Sequence, residues 1–146
     1  MIQNRSAPCD GVMPHLLYEN VARAMVWLNE VCGFSEYYRY VEPDGSVSNA
    51  QIYLGKAWIM LGSRRRGEAV ARQTRPAQSL VVFVPNVDAH FERARLLGAK
   101  ILAPPSDSVF GERQYEAEDP GGQQWFFSQH IRDVSPEEWG ALVPGV

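Results

Sequence analysis

The sequence has no long hydrophobic run: nothing in it approaches the ~18 consecutive apolar residues that span a bilayer. That excludes a membrane-spanning helix from the reading. The opening segment, Met1 to Gly11, is polar and lacks the apolar stretch of a secretory signal. Cysteine is scarce, with Cys9 and Cys32 alone, so no disulfide framework is expected. The two read as unpaired thiols of a cytoplasmic protein. An excess of one charge is also missing. Fourteen Lys and Arg against 17 Asp and Glu leave a net charge of -3, which gives no electrostatic reason to expect nucleic acid or an anionic membrane as a partner. Several catalytic signatures are absent as well: there is no Gly-x-Ser-x-Gly elbow, P-loop, Cys-x-x-Cys or His-Glu-x-x-His.

What is present fits one domain of 146 residues, 45% hydrophobic, with enough apolar material for a sizeable core. After the lead-in, Val12 to Tyr18 reads as a strand and Asn20 as a helix cap. Val21, Ala24, Met25, Leu28 and Val31 recur at helical spacing, and Gly33 ends the segment. Strands are expected over Phe34 to Val41, Ser48 to Leu54 and Ala57 to Leu61, with turns at Pro43-Asp44-Gly45 and Gly55-Lys56. Residues 64–77, containing Arg64-Arg65-Arg66, read as a polar linker. The same order then returns. Ser79 to Val84 is a strand, and Asn86 caps a helix with Val87, Phe91, Ala94 and Leu97 on its apolar stripe. Strands follow over Lys100 to Ala103, Arg113 to Glu118 and Gln123 to Ser128, with a loop at Pro104 to Gly111. In the tail, Ser135-Pro136-Glu137-Glu138 is a capping box that predicts a short C-terminal helix, with Trp139 packing back on the body.

The two halves align. Leu16-Leu17-Tyr18-Glu19-Asn20-Val21 matches Val82-Phe83-Val84-Pro85-Asn86-Val87, and in that register Met25 falls on Phe91 and Leu28 on Ala94. The turn before Trp58 parallels the turn before Trp125. A repeat of this kind decides the fold before any single element does. The expectation is an α+β fold of two tandem βαβββ modules, residues 12–63 and 78–129, followed by a tail over 130–146.

These stretches resemble the glyoxalase/bleomycin-resistance/dioxygenase superfamily, the vicinal oxygen chelate proteins. The resemblance rests on Tyr18-Glu19-Asn20-Val21, Trp27-Leu28 and Gly33-Phe34 in the first half. In the second it rests on Val87-Asp88-Ala89-His90, Arg93-Ala94 and Gly98-Ala99-Lys100. Gly111-Glu112-Arg113-Gln114-Tyr115, followed by Asp119-Pro120-Gly121-Gly122 and Trp125, is the most specific part. The resemblance implies a curved mixed sheet around a cavity, and a homodimer as the usual assembly.

It also implies where a metal would sit. Family enzymes draw His, Glu or Gln ligands from the first and last strand of each half, side chains suited to divalent ions. Counted from Asn20, Asn86 and Asp119, those positions hold Met13, Ser79 and Phe126, with Ile59 as the first-half equivalent of Phe126. None can form such a site, and a slip of one residue turns a side chain to the other face of its strand. A nonstandard set, His15 with Gln124 and Glu116 or Glu118, stays open; the reading expects no metal and no cofactor.

Strand alternation puts Met13, His15 and Leu17, Ser79, Val81 and Phe83, and Gln124, Phe126 and Ser128 on the cavity face. Leu16, Trp125 and Phe127 go under the helices. A mostly apolar wall with a few polar groups is the makeup of a small-molecule pocket. Phe83, Phe126 and Trp58 suit a planar ligand. Arg113 and Tyr115 join the candidate ligand contacts, beside a loop, Pro104 to Gly111, placed to close over a ligand, with an ion-paired, structural Arg113 as the alternative. His15 is the candidate general base. His90 is expected exposed on its helix, and His130 follows the last strand. The functional expectation is a metal-independent protein that binds a small molecule, an antibiotic or toxin among the options. The alternative is a glyoxalase-like lyase or isomerase, or a dioxygenase-like enzyme, with a nonstandard site.

Overall fold

A computed structural model describes residues 11–64 and 78–144. Cys9, Arg65, Arg66 and nearly all of the expected linker lie outside the described residues. The chain divides into two compact units between Thr74 and Arg75.

The first unit runs β1 (His15–Tyr18), α1 (Val21–Trp27), a π-helical turn (Leu28–Cys32), β2 (Ser35–Val41), β3 (Val47–Leu54) and β4 (Ala57–Ser63). Its sheet has the order β1-β4-β3-β2, with β1 parallel to β4 and the other pairs antiparallel. The second unit repeats this as β5 (Ser79–Phe83), α2 (Val87–Leu96), β6 (Lys100–Asp107), β7 (Glu112–Glu118) and β8 (Gln124–His130). The order is β5-β8-β7-β6, again with the first and last strands parallel. These are the two expected βαβββ modules.

The local signals act as read. The Asn20 and Asn86 side chains accept from the backbone N–H of Arg23 and Ala89 at 3.0 and 3.1 Å, each satisfying a donor that the first helical turn leaves without a partner. Gly33 ends the first helical segment at φ +88°, where a side chain is strained. The capping box at Ser135 and Glu138 starts a 3₁₀ turn, Pro136–Trp139, and the Trp139 ring meets Phe110 edge-on at 6.0 Å.

Alternation sorts each sheet into two faces. On the helix side of the first sheet lie Leu16, Tyr18, Ala50, Ile52, Ile59 and Leu61, buried together with Val21, Ala24, Met25 and Leu28. In the second unit Val82, Tyr115, Ala117, Trp125 and Phe127 are buried with Val87 and Ala94. Burying each large side chain contributes about 1.5–3 kcal/mol, so these two layers hold most of the stability of each unit.

Two boundaries differ from expectation by three residues or more. The first strand begins at His15 rather than Val12, so Met13 precedes it. Pro14 has no N–H to give a ladder, although its carbonyl accepts from Met60 N at 2.9 Å. In the other direction, β6 continues through Pro104 and Pro105 to Asp107. It is an edge strand with a register shift between Ala103 and Ser106, where missing donors are tolerated. The expected loop at Pro104 to Gly111 is thus cut to a tight turn. Ser108 N donates to the Glu112 carbonyl at 2.8 Å, and Glu112 N donates back to Ser108 Oγ at 3.1 Å. A turn closed in this way has no lid to offer.

Candidate functional site

The first sheet's helix-free face is set by its register. Leu17 sits opposite Gly62, His15 and Gln51 opposite Met60, Asn49 opposite Gly62 and Tyr53 opposite Trp58. The missing side chain at Gly62 has a use: a Cβ there would lie 2.6 Å from His15 Nε2 and 3.2 Å from Leu17 Cδ2. The glycine therefore lets the imidazole and the leucine lie across β4. Trp58 and Tyr53 pack as tilted rings at 4.9 Å, and Tyr37 meets Trp58 edge-on at 5.1 Å. The Tyr38 hydroxyl donates to Asn49 Oδ1 at 3.4 Å. Between these aromatic and polar groups lies Gln51. It is fully buried, and neither end of its amide has a hydrogen-bond partner among the described residues.

The second sheet's helix-free face carries Val81 and Phe83 on β5 and Phe126 on β8, among polar side chains of β7 and β8. Val81 and Phe83 are exposed, Phe83 by 73%. Ser79 pairs in register with Gln124, Val81 with Phe126 and Phe83 with Ser128. Gln124 Nε2 donates to Glu116 Oε2 at 2.9 Å, which fixes the amide's orientation. Gln114 Nε2 donates to Ser128 Oγ at 3.2 Å, and Ser128 Oγ donates to Glu112 Oε2 at 3.3 Å. The other Glu112 oxygen is 3.0 Å from His130 Nδ1, while His130 Nε2 is 2.6 Å from Asp133 Oδ1. Hydrogen bonds that the imidazole donates to Asp133 first, and to Glu112 second, hold His130 above its ordinary pKa.

The sequence reading and the structure agree that His15, Leu17, Ser79, Phe83, Gln124 and Phe126 point away from the helices, and Trp58 joins them. Tyr115 does not. It pairs with Phe127 on the helix side, 1% exposed, with its ring stacked on Phe127 at 4.9 Å and its hydroxyl 2.6 Å from His90 Nδ1. Arg113 shares that parity. It donates from Nε to Asp88 and from Nη1 to Asp107 at 3.0 and 2.9 Å, an ion-paired structural role at the edge of α2. Both ion pairs raise its pKa, Asp107 before Asp88. His90 is half-buried and packs against Phe127 at 4.5 Å rather than standing in solvent. Gln51, Gln114 and Glu112 are absent from the sequence-based site, which holds Ser128 on its cavity face and has His130 only as the residue after the last strand. Alternation along β3 and β7 is the signal that finds them: Asn49, Gln51, Tyr53 and Glu112, Gln114, Glu116 each share a face.

The metal positions need one correction. Ile59 is buried on the helix side, next to Leu61 in the alternation, so it cannot be the equivalent of Phe126. Met60, opposite His15 as Phe126 is opposite Val81, holds that place. The donor set is then Met13, Met60, Ser79 and Phe126, a pair of thioethers, a hydroxyl and a hydrocarbon. Hard divalent ions bound through oxygen and nitrogen do not fit it. Among the described residues no three His, Cys, Asp or Glu side chains come together to hold a metal ion. None of their helices is long and apolar enough to cross a membrane.

Comparison with known proteins places this geometry. TioX from Micromonospora sp. ML1 is 28% identical, superposes with a TM-score of 0.64, and the match covers 86% of this chain and all of that one (100%). FosX, the genomically encoded fosfomycin resistance protein of Listeria monocytogenes, matches 88% of this chain and 96% of its own at a TM-score of 0.65 and 17% identity, a likeness of fold. The uncharacterized protein Mb0911c of Mycobacterium bovis is 26% identical over 139 residues, 91% of each chain. The family model described as Glyoxalase/Bleomycin resistance protein/Dioxygenase superfamily matches residues 12–127, most of the chain, and with both βαβββ modules in place the protein belongs to that superfamily.

Proposed function

We propose that this protein binds a small molecule with a planar or amphipathic body on its helix-free sheet faces, without a metal ion, and holds it rather than transforms it. The observation that carries this reading is the composition of those faces. Leu17, Trp58, Val81, Phe83 and Phe126 supply apolar and aromatic surface, with a few placed polar groups among them. The positions at which relatives' metal ligands are expected hold two thioethers, a hydroxyl and a hydrocarbon, a set that does not hold a hard divalent ion. Sequestration needs affinity and no turnover, so it survives the loss of a metal site. The fold likeness to a fosfomycin resistance protein makes antibiotics the first ligand class to test. The active form is taken to be a homodimer.

The test is a thermal-shift and calorimetric screen of planar antibiotics and toxins with a chelator present, alongside light scattering for the oligomeric state. Saturable binding that persists in chelator supports the reading. One tightly held divalent ion per chain, whose removal abolishes binding, overturns it.

His15 supports a second reading. Gly62 leaves the imidazole room on the ligand-facing side of the sheet, where it suits a general base in a lyase-like or dioxygenase-like enzyme. Product formation that is lost in His15→Ala while ligand binding is kept would favour it.

A further inference from the structure

We propose that Gln51 is a specificity-determining anchor for a neutral, amide-type group on the ligand: a lactam, carboxamide or ureide carried on a planar frame. The proposal rests on the small-molecule reading above and adds the chemistry of the group recognised.

Gln51 sits mid-strand in β3, between Ala50 and Ile52, which turn to the helix side. Its own side chain therefore lies on the helix-free face. It has no exposed surface, yet Oε1 and Nε2 both lack partners among the described residues. A buried polar group that gives up water without gaining a partner is destabilising, and here both ends of one amide are in that state. An apolar residue of similar volume would remove the cost, so the cost points to a use.

The form of the partner follows from the primary amide. It presents an acceptor and a donor side by side in one plane. A group offering the complementary donor and acceptor on adjacent atoms satisfies both ends at once, and a lactam does so. A charged partner is disfavoured. In register on this face stand His15, Asn49, Tyr53, Trp58 and Met60, with Tyr38 opposite Gln51 on β2; the Glu36–Arg39 ion pair lies at the other parity, opposite Ile52 and Ala50. No Asp, Glu, Lys or Arg is among them to neutralise an ion. The flanking Trp58 and Tyr53 rings supply the platform for a planar frame. Access follows from Met60, directly across from Gln51 and half-buried, whose flexible thioether can swing aside.

The probes are isoindolinone, a bicyclic aromatic lactam; its N-methyl derivative, which loses the donor; and indane, the hydrocarbon frame. Each is titrated into the full chain and into Gln51→Met, with the melting temperature of the ligand-free proteins measured as well. Wild type is expected to bind isoindolinone about ten-fold more tightly than either control, and Gln51→Met to lose that preference. Ligand-free Gln51→Met is expected to melt about 2–4 °C higher than wild type, because the cost of the orphaned amide is gone. Equal binding of the three probes by wild type overturns the proposal, and so does an unchanged lactam preference in Gln51→Met. A lower melting temperature for Gln51→Met overturns it too, since it shows the amide to be satisfied within the fold. Binding of indane without a lactam preference leaves small-molecule binding standing while the anchor falls. Failure of all three probes and of the antibiotic screen removes both.

Discussion

The Trp125 indole Nε1 donates to Asp119 Oδ2 at 3.0 Å, with both residues buried. The other carboxylate oxygen of Asp119 accepts from the backbone N–H of Gly121 and Gln123 at 2.9 and 3.0 Å. One side chain thus closes the β7–β8 turn and ties it to the largest residue of the core. Asp119→Ala is expected to leave the indole N–H and two backbone donors without their acceptor, costing about 2–4 kcal/mol in denaturant unfolding. Trp125→Phe in the Asp119→Ala background should cost less than in wild type, because the two share one interaction. Additive losses would show that the contact carries no coupling.

Much of this was legible beforehand, and the reasons are local. Asn20, Asn86, Gly33 and the Asp119-Pro120-Gly121-Gly122 turn act through their own backbone, so the sequence alone reveals them. The faces of β1, β5 and β8 followed from alternation. What failed were positions that depend on a count across a turn. The first-half hairpin turns through Gly55-Lys56 and the second through a longer Asp119–Gln123 turn, so a count from the turn lands on Ile59, one residue short of Met60 and on the opposite face. The Gly111–Tyr115 motif points to Tyr115 as a ligand contact, whereas parity puts it with Ala117 under α2. Gln51 shows its lack of partners only in three dimensions, because polar residues also stand at Ser48 and Asn49 of the same strand.

Tyr115→Phe separates the two placements of that side chain. The hydroxyl to His90 contact should make the variant less stable by about 1 kcal/mol. Ligand affinity should not change, because the ring faces α2. A loss of affinity at unchanged stability in calorimetry and thermal melts would return Tyr115 to the binding surface.

Gly62→Ala tests the crowding around His15. A methyl group there meets the imidazole and the Leu17 side chain, so the variant should lose about 1 kcal/mol. Adding His15→Ala should recover part of that loss. If the double variant is no more stable than Gly62→Ala, the imidazole does not lie across β4.

His130 gives a pH dependence of known sign. Its imidazole has a higher pKa folded than unfolded, through Asp133 and then Glu112, so the folded state binds the proton more tightly. The stabilisation is complete below the ordinary value of about 6.5 and disappears as pH rises through the higher folded value. The melting advantage of wild type over His130→Gln should therefore be present at mildly acidic pH and vanish at alkaline pH. Both partners are accessible enough for salt to weaken the effect. An imidazole titration by NMR should show a midpoint lowered more by Asp133→Asn than by Glu112→Gln, and the reverse order would assign the main interaction to Glu112.

The parallel pairing of β1 with β4, and of β5 with β8, has a mechanical consequence. Each module starts on one strand and finishes on its neighbour running the same way, so the chain enters at one end of the ladder and leaves at the other. Tension applied through those two strands pulls them lengthwise past each other. The ladder bonds then share the load and yield together, whereas an antiparallel hairpin pulled by its ends opens one rung at a time. Each half of this protein is built to resist being drawn out from its termini.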